Sequence, residues 1–108
     1  MGRVWEAIVR RAQTKARNAQ TAVTDARRRL QHLEGRRVQL QTMCADYQLR
    51  MRSAVANTVS MSDYMTYRRF IEHVESLMER LSPAITAAQQ SHAAAVRDMR
   101  TAEEELVR

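Results

Sequence analysis

One thiol and three imidazoles carry the nucleophile and metal-ligand chemistry of this 108-residue chain: Cys44, His32, His73 and His92. A metal site on a helix needs ligands three or four residues apart, as in Glu-x-x-His, so that both project from one face. No such pair occurs here, and the histidines are dispersed. A reactive thiolate wants a His beside it, and Cys44 lacks one. Neither a Gly-rich phosphate loop nor a nucleophile elbow is present. The sequence therefore predicts no catalysis, no cofactor, no metal and no small-molecule substrate. Cys44 reads as a packing residue and His92 as a polar layer that sets register.

Charge is the next chemistry available. The net charge is +6, and it is unevenly placed. Residues 1–58 hold 12 Arg and Lys against 4 Asp and Glu, whereas residues 59–108 hold 6 against 8. The two halves attract, and the first keeps a cationic excess that could meet nucleic acid, an acidic membrane face or an acidic protein groove. The Arg clusters at 10–11, 27–29, 36–37, 50–52 and 68–69 lack the interleaved aromatics that stack bases. That disfavours nucleic acid and leaves a solvated face or a protein groove.

These residues must be held by helices. Two Gly and one Pro in 108 residues leave little to break them. Steps of alternately 4 and 3 residues from Trp5 reach Thr58 in 16 positions, and 14 are apolar. This is a heptad seam, and its early part (Ala12, Ala16, Ala19) is built of alanine, so a partner helix must approach closely. The same steps restart at Tyr64 and run to Leu106 with only His92 polar. Two seams around a short polar break predict an all-α fold, a long antiparallel two-helix coiled-coil hairpin. One domain over 1–108 is expected, with helix one at about 3–57, a turn at about 58–62 and helix two at about 63–107. Asn57 can close the first helix, and Ser60 to Asp63 has capping-box spacing. A helix of about 55 residues is about 80 Å long, so the expected object is a rod.

Antiparallel pairing about a turn near residue 60 sets residue i opposite about 121 − i. Tyr47 then faces Val74 and Leu40 faces Leu81, while Trp5 and Val9 have no partner within the chain. Either the natural second helix is longer or that tip docks elsewhere. Pro83 lies inside the second seam and should bend the helix near 79–82 or start a new segment capped by Ser82. The lone Cys44 excludes an internal disulfide framework and fits a reducing compartment. No apolar run approaches the roughly 18 residues of a membrane span. The opening "MGRVWEAIVRRAQ" is too charged for a secretory signal and lacks the myristoylation pattern.

Near the turn the chain carries more apolar surface than a two-helix seam consumes. Phe70 and Leu77, seven apart, stand just beside the second seam, and Tyr64, Met65, Met43 and Met61 add to the same region. A widened patch of aromatic and thioether side chains suits an adaptable docking surface. Local packing at the turn, or self-association into a four-helix bundle, are the competing uses.

Two pieces of this region, "LQTMCADYQLRMRSAV" (Leu40 to Val55) and "YMTYRRFIEHVESLMERL" (Tyr64 to Leu81), resemble the FliJ family of flagellar export proteins. The likeness rests on Asp46-Tyr47-Gln48 and on Tyr67-Arg68-Arg69-Phe70-Ile71, and covers about 40 of the 108 residues. Beyond those residues it is a likeness of architecture. The resemblance implies a cytosolic, non-catalytic rod, peripheral to the inner membrane, similar to the central stalk of rotary ATPases. It implies insertion into the export ATPase hexamer, contact with the cytosolic domain of the export gate protein, and binding of export chaperones. The family's gate contact lies at exposed aromatic and apolar positions near the turn, which here are Tyr47, Phe70, Val74 and Leu77. Val74 and Leu77 fill their positions with side chains other than the family's. Rival expectations are a virulence-type secretion stalk of the same build and a basic hairpin that binds nucleic acid. A small secreted hairpin subunit is a further rival, but that class carries Trp-x-Gly at its turn, and the only Trp here is Trp5.

Overall fold

A computed structural model gives the fold, with residues 2–56 and 60–107 described. Two α-helices form an antiparallel hairpin: α1 (Gly2–Ala56) and α2 (Met61–Val107). The start of α2 follows from its cap. Ser60 Oγ accepts a hydrogen bond from the Asp63 amide at 3.2 Å, and the Ser60 carbonyl accepts from the Tyr64 amide at 3.2 Å. Ser60 is thus the N-cap, and Asp63 places a carboxylate in the positive first turn of α2. The expected closure of α1 by Asn57, and Thr58 as the last seam position, lie outside the described residues.

The buried positions are those of the seam. Ala16, Val23, Leu40, Cys44, Ala54, Ile71, Val74, Ile85, Ala88 and Ala102 are the core, and each falls on the 4,3 walk. No polar or charged residue is buried among the described residues. Arg37, the charged position on the α1 seam, stays exposed, because its guanidinium cannot be left in the stripe without a partner. Seam positions built of alanine bury little area per layer, so at those layers the helices depend on close approach, while Val23, Leu40, Ile71, Val74 and Ile85 supply the bulkier layers.

The chain divides into two compact units, Met1–Gln31 with Thr86–Arg108, and His32–Ile85. In the first, Lys15 Nζ pairs with Glu105 Oε2 at 2.8 Å across the helices. Both residues immediately precede a seam position, so they share one flank. Half-exposed as it is, this pair contributes at most about 1 kcal/mol and acts chiefly to fix register. His92 is half-buried on the α2 seam and its Nε2 has no hydrogen-bond partner. In the second unit Leu40, Cys44, Ile71 and Val74 form one cluster, with Tyr47, Met51, Phe70, Leu77, Met78 and Leu81 against it.

One expectation about the helices changes, the start of a new segment at Pro83. Pro83 sits inside α2 without a restart, and Ser82 caps nothing. Glu79, Arg80, Ser82 and Pro83 are all exposed, so the carbonyl of Glu79 that Pro83 leaves without a donor can bind water instead. Gly35 is likewise absorbed into α1, and a Cβ built there meets nothing within 4 Å. Gly35→Ala should therefore stabilise the protein by about 1 kcal/mol, from helix propensity and a less flexible unfolded chain. A rise of a few degrees in Tm checks this.

Candidate functional site

The aromatic side chains of the second unit form one connected group. Tyr47 on α1 stacks on Phe70 of α2, with ring centroids 3.9 Å apart and planes inclined by 30°. Tyr67 meets the same Tyr47 ring edge-on at 5.9 Å. Over Tyr47 stands the Arg50 guanidinium, 5.1 Å from the ring centroid, and its Nε also pairs with Asp46 Oδ2 at 3.2 Å. Each contact follows from spacing. Asp46 and Arg50 are four apart on one helix, and Phe70 and Tyr67 bracket one turn of α2. Edge-to-face and offset pairs of this kind add about 0.5–1.5 kcal/mol each beyond the area they bury. A cation over the ring adds about 0.5–1 kcal/mol at an exposed site.

The sequence sets Tyr47 opposite Val74. The two share one cluster, yet the ring contacts of Tyr47 come from Tyr67 and Phe70, one to two turns nearer the link. Phe70, Leu77 and Tyr47 are half-buried, so each keeps a face toward solvent while its root is held by the core. Val74 differs. It is only 1% exposed, the largest fully buried side chain in the core, and cannot touch a partner while the helices remain paired. Its residue type and seam position place it inside, so it supports Phe70 and Leu77 from beneath.

Around this group lie apolar side chains that the seam does not consume. Met43 is exposed and immediately precedes Cys44, on the flank that Phe70 and Leu77 share in α2. Met65, Met61 and Val55 are exposed near the link, at up to 72% for Met61. Val55, Val38 and Leu49 were not singled out from the sequence. The signal was available: each is a large apolar residue off the 4,3 walk, which is the condition for exposure on a coiled coil.

Cys44 sits beneath the patch, in the core cluster. Burial pushes its thiol pKa above the ordinary 9.0, and the Glu75 carboxylate adds to that shift. Because the folded-state pKa is raised, the thiol favours folding while it is protonated, and stability falls as pH climbs above 9.0. A thiol reagent at neutral pH should label the native protein far more slowly than the denatured one.

Among the described residues, no three His, Cys, Asp or Glu are grouped so as to hold a metal ion. Among the same residues, no helix is long and apolar enough to cross a membrane. A family model described as Flagellar FliJ protein matches residues 5–107. The chain belongs to the FliJ family. Membership makes it a component of the flagellar, type III protein export apparatus, in a family whose members are not enzymes. Neither a curated protein nor a solved structure matches the chain. The family match spans both helices of the hairpin and extends well beyond the two pieces that first suggested it.

Proposed function

We propose that this FliJ-family chain is a cytosolic, stalk-like linker that joins the export ATPase hexamer to the cytosolic domain of the export gate and also binds export chaperones. The observation that carries the reading is the Tyr47–Phe70 stack with Leu77 and Met43 beside it, an apolar flank only half-covered by its own helices. Such a surface suits a partner that is touched and released. Its aromatic anchors are already ordered by Tyr67 and Arg50, so little side-chain entropy is lost on binding. Tyr47, Phe70 and Leu77 are the proposed contacts, with Val74 acting from within.

The cationic first helix supports the ATPase contact. Exposed arginines on α1 supply attraction that is screened and not tied to one geometry, which lets a ring lumen engage the chain repeatedly. The experiment is a turnover assay on purified export ATPase. Adding the chain to saturation should raise turnover or the hexamer fraction. No stimulation at saturation would count against the linker reading.

A further inference from the structure

The apolar patch of Met43, Phe70 and Leu77 continues, on its own flank, into two unpaired cations. Residues that immediately precede a seam position lie on one flank of the hairpin in both helices, as the Lys15–Glu105 pair shows, and residues that immediately follow one lie on the other. Arg36 and Arg80 precede seam positions Arg37 and Leu81, so they share the flank of the patch. Both are exposed. Tyr47 stands beside Phe70, and Cys44 packs with Ile71 and Val74. That register sets Arg36 and Arg80 at nearly one height, beyond Met43 and Leu77 on the side away from the link. Neither has an acid three or four residues away in sequence. Among the described residues neither enters an ion pair, whereas Arg50 and Arg68 are engaged by Asp46 and Glu72. The other acids of this unit are segregated from them. Glu34, Glu72, Glu75 and Glu79 each follow a seam residue and so lie on the opposite flank. On the patch flank the acids are Asp46, held by Arg50, and Asp63, in the first turn of α2 beside the link.

Building on the reading of this patch as the gate contact, we infer that the surface of the gate cytosolic domain that covers it is acidic along one edge. Arg36 and Arg80 form a cationic rim that pairs with carboxylates of that domain, one to two helical turns beyond its apolar pocket. An interface of this kind has an apolar centre and a polar rim, and charges at the rim steer the encounter and fix orientation. Because the rim stands at one end of the patch, it gives the docked domain a direction along the hairpin. Its acidic edge points away from the link. The reversed pose would set those carboxylates near Asp63 and leave Arg36 and Arg80 uncovered. A second copy of the chain fits less well, since its acidic flank offers Gln41 and Gln48 where Phe70 and Leu77 need apolar cover. A nucleic acid would use the two cations and gain nothing from Met43 and Leu77.

The test titrates purified gate cytosolic domain with the chain at about 50 mM and about 0.5 M salt, the second leaving a screening length of only a few ångströms. Arg36→Glu and Arg80→Glu should each weaken binding about fivefold at the lower salt, chiefly through slower association. At the higher salt each should approach wild type. Arg52→Glu makes the same change in net charge on the opposite flank and should bind within about twofold of wild type. Circular dichroism and Tm should stay as in wild type for all three, since each residue is exposed. Binding that Phe70→Ala weakens, but that neither Arg36→Glu nor Arg80→Glu changes, would overturn the acidic edge and leave the gate contact standing. An equal loss in Arg52→Glu would also overturn it, because net charge and not the flank would then be responsible. Self-association of the chain alone, abolished by Arg36→Glu, would assign the flank to a second copy instead. Wild type that fails to bind the domain, or Phe70→Ala that binds it equally well, would remove the gate contact and the acidic edge with it.

Discussion

Val74→Asp should abolish the cooperative thermal transition of this protein. Val74 is 1% exposed, in the cluster of Leu40, Cys44 and Ile71, and no cationic side chain lies in that buried core to pair with a new carboxylate. An unpaired buried charge costs several kcal/mol, commonly 3–5 when a partner is missing, against a total stability of about 5–15 kcal/mol for a domain. Val74→Ala, which only opens a small cavity, should cost about 2 kcal/mol and leave a folded protein with a lower Tm. Val38→Asp makes the control. Val38 is 56% exposed on the outside of α1, and the same change there should stay within about 0.5 kcal/mol. Thermal melts followed by circular dichroism separate the three.

Phe70→Ala should reduce affinity for the gate cytosolic domain by about 30-fold or more, the effect of losing an aromatic anchor worth 2 kcal/mol. The change also removes the ring stacked on Tyr47, so part of its effect is on stability. Val74→Ala provides the correction. It lowers stability to a similar degree without removing any exposed surface, so a fold-only effect would weaken gate binding equally in both variants. A gate titration in which Phe70→Ala is much weaker than Val74→Ala assigns the loss to the exposed ring.

The sequence revealed the hairpin because a coiled coil is the simplest relation between pattern and packing. Among the described residues every buried one lies on a walk that needs only the spacing of apolar side chains, and one slip would have put Cys44 or Ile85 on the outside. The cap at Ser60 was equally legible, since a hydroxyl three residues before an acid satisfies an amide wherever a helix starts. Pro83 was harder. Whether a missing N–H breaks a helix depends on whether the freed carbonyl faces water, and that is a property of the folded surface. The site was legible in part. Phe70 and Leu77 could be placed beside the seam from spacing, but Val74 entered by family likeness although its own seam position marked it as interior. The stacking of Tyr47 on Phe70, where Val74 was expected opposite it, depends on the stagger between helices, and a stripe of apolar residues constrains that stagger only loosely.

The most direct measurement immobilises the export ATPase and asks whether it retains the gate cytosolic domain. The domain should be retained when wild-type chain is added and not without it. Phe70→Ala should bind the ATPase yet fail to recruit the gate domain. Equal retention with wild type, with Phe70→Ala and with no chain at all would contradict the linker account.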